Sequence, residues 1–320
     1  MKKIWLAAFA VLVLAACSTS KAGLISEVDG REYVPLAPGA LVYMYADVAH
    51  IGPLLDILPI EALSQKEVAD MVARTHTAMM GFYPNDEKRH FMLAGAGTYP
   101  TFGPNMGLFF SPAWKKRRSE TGASYWYSEK SRSALSLSAN QVLVSDADPF
   151  APAPGVVIPA DFAAFRRDAV LALWLDDAAA PVNQFLKTFM ASLGIGQVLE
   201  MLGVPLTLPV GQAMISVQAV NENYSALIRI GTPSVSQTRG LLGILTLIKR
   251  FLPKTDGASS ASPLSIAALL FANDPQEDGL YLSLRTGEFD AQSLAALVRM
   301  LTAQKTPAAA PIPQTAIAAH

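Results

Sequence analysis

Cysteine is all but missing: Cys17 is the only one in 320 residues. A chain with one cysteine closes no internal disulfide, and a thiolate zinc site is excluded with it. Histidine is scarce as well, at four residues, His50, His76, His90 and His320. No two of them stand four apart, the spacing that puts two ligands on one helix face. No metal and no cofactor are therefore expected. Charge is thin, with Asp, Glu, Lys and Arg making up 16% of the chain where about a quarter is usual. A net charge of −1 offers no basic excess for nucleic acid. Long apolar runs are also missing. Beyond Cys17 nothing reaches the roughly 18 uninterrupted apolar residues of a spanning helix, so none is expected there.

The amino terminus is richer. Lys2 and Lys3 precede an apolar run from Ile4 to Leu14, and Ala15 and Ala16 follow before Cys17. That order of charge, apolar stretch and small residues has the anatomy of a secretory signal. Leu14-Ala15-Ala16-Cys17 resembles the lipobox of bacterial lipoproteins. The resemblance covers this segment alone. It implies cleavage before Cys17, a diacylglyceryl group on its sulfur, further acylation such as palmitate, and residence in the cell envelope. Two or more acyl chains anchor firmly where one binds marginally. Ser18 stands where the family's inner-membrane retention signal has Asp, which implies the outer membrane in a two-membrane organism. Loss of residues 1–16 would leave 23 basic and 26 acidic side chains.

Familiar catalytic signatures do not appear. The chain has no G-x-S-x-G elbow and no P-loop. Ser18 to Lys21 matches S-x-x-K, but inside the tether. "GAGTYP" (Gly95–Pro100) starts like a dinucleotide fingerprint, yet Pro100 stands at its last glycine and no helical pattern begins there. Asp146-Ala147-Asp148 opens like a calcium loop, but Pro149 and Phe150 replace the next ligand and the glycine. Asp176 and Asp177 are adjacent, which sends them to opposite faces of a strand. Asn223-Tyr224-Ser225 matches a glycosylation triplet and reads equally as a turn. No catalytic residue emerges, and a non-enzymatic protein is expected.

The body reads as α+β, a duplicated unit of helices packed on antiparallel sheet. "ALVYMYADVA" (40–49) and "VLALWLDDAA" (170–179) open the two halves alike, with Asp47 matching Asp177. Both read as central strands buried on both faces. Helical stretches are expected at 51–58, 65–82 and 181–202, later at 235–252 and 290–303. His90–Gly97 is matched with Gln212–Val220. Hairpins are expected around Ala139-Asn140, around Asn221-Glu222-Asn223, and in "IAALLFANDPQEDGLYLSLRTG", turning over Asn273–Gly279. Four prolines in 148–162 suggest the break between halves. The division is thus signal 1–16, lipidated tether 17–30, first half 31–150, second half 151–305 and disordered tail 306–320. Two domains or one continuous sheet would both satisfy it.

Two features exceed what a core requires. From Thr188 to Asn221 the only ionisable residue is Glu200, and Leu241–Leu252 is apolar almost all round. Such helices are central in a core or in contact with lipid. On the second reading Phe185, Phe189, Met190, Leu193, Leu206, Leu208, Leu241, Ile244 and Ile248 are the candidate ligand or membrane contacts. The second feature is Trp114 followed by Lys115, Lys116, Arg117 and Arg118, with Tyr125-Trp126-Tyr127 shortly after. Cations beside aromatics suit lipid headgroups. The expected function is a lipid-anchored envelope protein that binds an apolar ligand, a lipid or a membrane surface. A scaffold with an envelope protein as partner is the alternative, and a hydrolase without a recognisable motif comes third.

Overall fold

The computed structural model describes residues 26–28, 31–33, 39–51, 66–84, 89–151, 162, 165–192, 201, 207–252 and 263–293. The first half supplies β3 (Val42–Asp47), α1 (Lys66–Val72), β4 (Thr75–Phe82), β5 (Phe91–Gly97) and α2 (Phe102–Phe110). Four more strands follow: β6 (Lys115–Arg118), β7 (Ser124–Ser128), β8 (Ser133–Leu137) and β9 (Gln141–Ser145). The second half supplies β10 (Leu171–Leu175), α3 (Ala179–Ser192), β11 (Ala213–Val220) and β12 (Asn223–Gly231). It closes with α4 (Val235–Phe251), α5 (Pro263–Leu270), β13 (Gln276–Asp278) and β14 (Tyr281–Arg285). A small hairpin of β1 (Ser26–Val28) and β2 (Arg31–Tyr33) stands before them, so the stretch read as tether ends in paired strands.

Strands β3 to β14 join in one 12-stranded sheet, ordered β13-β14-β12-β11-β10-β3-β4-β5-β9-β8-β7-β6. The α+β class is confirmed, and the sheet runs unbroken through both halves. At its centre β10 pairs antiparallel with β3, Trp174 opposite Tyr43 and Leu173 opposite Met44. Outward from this pair the order is β3-β4-β5-β9-β8-β7-β6 on one side and β10-β11-β12-β14-β13 on the other.

The hairpins at 139–140 and 221–223 form as expected, the second with Asn221 at φ 56°. Asparagine tolerates that left-handed conformation better than most residues. Helix α4 matches its expected span, its N-terminus capped by Ser234. Other expectations fail. The helix expected through Phe82 stops at Val72, and Thr75–Phe82 is a strand. Met79, Met80 and Ala78 favour helix locally, but pairing on both sides, with β3 and β5, overrides them. His76 is therefore an exposed strand residue. Ile266–Leu270 is helical, and the third hairpin is only β13–β14, turning at Gly279. Residues 1–25, 29–30, 34–38, 52–65, 85–88, 152–161, 163–164, 193–200, 202–206, 253–262 and 294–320 lie outside the described residues. The proline-rich break, the tail, the signal segment with Cys17 and the helix expected at 51–58 fall there wholly or largely.

The two faces of the sheet are covered differently. On one, Tyr43, Tyr45, Trp174, Met79 and Met214 are buried with Phe162 and Ala169 of the connection between halves. Two buried arginines hold that connection. Arg89 Nη2 donates to the carbonyls of Asp148 and Ala151, at 2.5 and 2.9 Å, and its guanidinium lies over Tyr83. Arg166 lies over Tyr45 and reaches Met79 Sδ at 3.3 Å. The opposite face carries the helices in two groups. Leu186, Met190, Leu241, Leu245, Ile248 and Ala267 pack on Ala213, Ile230, Leu282 and Leu284. At the far side Leu108, Tyr99 and Trp114 pack on Phe91, Trp126, Leu135, Val142 and Val144. The central strands lie between these groups. Their alternating burial contradicts the reading of β3 and β10 as buried on both faces.

Candidate functional site

Helix α2 is amphipathic in an inverted sense. Phe102, Met106, Phe109 and Phe110 recur at i, i+4, i+7 and i+8, which places them on one stripe. That stripe faces solvent: Phe102 is 81% exposed, Phe109 68%, Phe110 71% and Met106 41%. The side against the sheet carries Leu108, fully buried, and Asn105, whose Oδ1 accepts the Trp126 indole N–H at 2.7 Å. A polar residue thus anchors the helix inward while phenylalanines point out. Phe109 and Phe110 meet edge to face, centroids 5.3 Å apart, a favourable arrangement for a paired aromatic wedge.

Strand β6 follows after a turn in which the Trp114 amide donates to the Ser111 carbonyl. It forms one edge of the sheet, and all four cations are exposed. Lys116 is opposite Trp126, hence on the face that carries α2, and Arg118 shares that face. Lys115 and Arg117 project to the other, where both meet Glu129, at 3.5 and 3.3 Å, and Arg117 lies over Tyr127. The side with the phenylalanines therefore also has the two cations that lack Glu129.

The candidates from sequence separate accordingly. Lys115 to Arg118 are exposed, but Trp114 is buried and packs in the core beneath α2, so it is no headgroup contact. Tyr125 and Trp126 are buried too. Met190, Leu208, Leu241 and Ile248 are buried in the core of the second half, with Ile244 half-buried against them. They are spent on packing α3 and α4 to the sheet, not on a surface. The side chains of Phe185, Phe189, Leu193 and Leu206 lie outside the described residues. Sequence reasoning missed α2 because Gly103, Pro104 and Gly107 obscure its period. The same three residues are why no helix was expected after Pro100. One signal was available: Phe91 to Trp114 holds 24 residues without Asp, Glu, Lys or Arg.

The polar groups elsewhere serve the framework. Asp146 accepts from the His90 ring at 2.6 Å and from the amides of His90 and Phe91, tying β5 to β9. Asp177 caps α3 through the Ala179 amide, and Asp176 accepts from Gln212. Burial pushes the Tyr99 hydroxyl up to about 12, against a hydrogen bond with Thr75. Tyr83 is pushed up to about 12 by burial and by Tyr43, with Arg89 opposing. Both stay protonated at neutral pH and hold no basic form there. Among the described residues no cluster of three or more metal-ligating side chains forms, and no helix is long and apolar enough to cross a membrane.

No protein family and no curated protein matches the chain. Its architecture is similar to that of a solved protein, TP0453. Crystal form IV of that protein covers 82% of this chain, with 93% of its own length, at a TM-score of 0.50 and 19% identity. Crystal form I gives 0.49 over 83% of this chain. At that identity the likeness is one of fold.

Proposed function

We propose that the chain is a non-enzymatic, lipid-anchored protein of the cell envelope, tethered through acylated Cys17, whose folded body also rests on the membrane surface. Helix α2 and strand β6 make the contact. The carrying observation is the exposed stripe of Phe102, Met106, Phe109 and Phe110 beside a basic sheet edge. Solvated phenylalanine is costly to leave in place: burying one side chain is worth about 1.5–3 kcal/mol. A cation near an anionic surface adds about 1 kcal/mol. The body is further read as a duplicated unit, supported by a similar strand order outward from the β3–β10 pair, which the first half extends by β7 and β6.

Flotation tests the contact. The chain from Ser18, lacking the acyl anchor, is mixed with phosphatidylglycerol vesicles and spun through a density gradient. It should float at low salt, and Phe109→Asp with Phe110→Asp should keep it at the bottom while circular dichroism stays native. A parent chain that never floats would sink this reading. Stoichiometric recovery of one envelope protein instead would favour the scaffold.

A further inference from the structure

Strand β6 puts its cations to two uses. Lys115 and Arg117 are met within the protein, by Glu129 and, for Arg117, by the Tyr127 ring. Lys116 and Arg118, on the face that carries α2, have no carboxylate partner among the described residues, Glu120 of the next turn included. Two residues apart on a strand, their Cα atoms are separated by about 6.6 Å, and the like charges repel. Arg118 is also fixed in place. Its Nε donates to the Gly122 carbonyl at 3.0 Å. Gly122, at φ 85°, closes the turn into β7, where its amide donates to the Ser119 carbonyl and the Ser119 amide to Ala123, at 2.9 and 2.8 Å. Glycine adopts that φ without strain. The bond at Nε leaves the forked end of the guanidinium, Nη1 and Nη2, without a partner among the described residues.

We propose that Arg118 and Lys116 together bind the phosphate monoester of a lipid headgroup. The inference rests on the membrane contact proposed for α2 and β6, and it names the headgroup which that contact takes. The choice follows from counting oxygens. The forked end of a guanidinium pairs with two oxygens of an oxyanion. A carboxylate, or a phosphodiester with its two unesterified oxygens, is used up by that fork. A phosphomonoester has a third oxygen for the Lys116 ammonium, a compact donor on a flexible stem. Above its second pKa of about 6 it also carries close to two negative charges, which matches the two cations. Phe102, Phe109 and Phe110 are exposed on the same side and gain burial only from a phosphate that comes with acyl chains. The lipid is therefore the source, rather than free phosphate.

The test uses the unacylated chain from Ser18 and two kinds of phosphatidylcholine vesicle at pH 8. One holds phosphatidic acid, a monoester; the other holds phosphatidylglycerol, a diester, at a content that gives the same surface potential. The chain should bind the phosphatidic acid vesicles at least fivefold more tightly. Arg118→Lys keeps the charge and loses the fork, and should bring the two affinities within twofold with native circular dichroism. Inorganic phosphate, followed by calorimetry, should bind at least tenfold more weakly than the vesicle-borne monoester. Equal affinity of the parent chain for the two vesicles, or an unchanged preference in Arg118→Lys, would overturn the proposal and leave the membrane contact standing. Inorganic phosphate bound as tightly as the vesicles would overturn the assignment to a lipid. A parent chain that floats with neither lipid would overturn the membrane contact and this inference together.

Discussion

At the scale of residues, two buried tryptophans make a natural pair for comparison. The Trp126 indole N–H donates to Asn105, whereas that of Trp174 has no acceptor among the described residues. Asn105→Ala strands a buried donor and releases the inner side of α2, at a cost of about 1–3 kcal/mol. The urea midpoint should fall with an unchanged slope. Trp174→Phe removes a donor that was already unsatisfied, so it should cost less than Trp126→Phe. The tyrosines give a pH prediction. Tyr83 and Tyr99, raised to about 12 from 10.0, remain protonated in the folded state where the unfolded chain ionises. Below pH 10 their contribution is intact, and it is lost as pH rises from 10 to 12, about 3 kcal/mol for each. Alkaline unfolding should therefore be steep across that window, and shallower by one residue's share in Tyr99→Phe. None of this was legible in the sequence, because the partners lie far along the chain and only pairing brings them together.

At the scale of elements, hairpins were legible and helix ends were not. Alternation about Ala139-Asn140 and Asn221 carries its own register and its own turn chemistry. The end of α1 is decided instead by β3 and β5, which claim Thr75–Phe82 from outside the segment. For α2 the period was present but broken by two glycines and a proline, so the charge-free stretch was its only mark. The basic run in β6 was visible, but its division between two faces was not. That division gives a prediction. Lys116→Glu with Arg118→Glu should abolish vesicle binding at low salt, because both face the α2 side. Lys115→Glu with Arg117→Glu should weaken it less, since Glu129 already meets that pair. Salt should mimic the first change, screening over about 10 Å at 0.1 M. Elsewhere, Ser234→Ala removes the cap of α4 and should lower stability by about 1 kcal/mol, read by denaturation.

At the scale of the molecule, the α+β class was legible, and so was a strand within each of 40–49 and 170–179. Whether the halves were domains or one body depended on a single pairing, β3 with β10, which no local pattern encodes. Because that pair lies at the centre of the sheet, unfolding should be one transition. Urea curves followed by Trp126 fluorescence and by Trp174 fluorescence, in single-tryptophan variants, should coincide. Fragments 31–150 and 151–305 should each self-associate when alone, through the exposed edges of β3 and β10, and should form a 1:1 complex when mixed, seen by size-exclusion chromatography.

The β3–β10 pair also sets a schedule. Ala46 meets Leu171 and Val42 meets Leu175, so the partners are made well over a hundred residues apart. A chain growing at about 5–20 residues per second can pair β3 with β4 early, but leaves its other edge open for about 6 to 25 seconds before β10 emerges. During that wait the row of Tyr43, Met44 and Tyr45 is an open template for any neighbouring nascent chain. The final fold buries this edge at its centre, and the newborn chain needs it shielded, by a holding chaperone or by delay in folding, until the second half arrives.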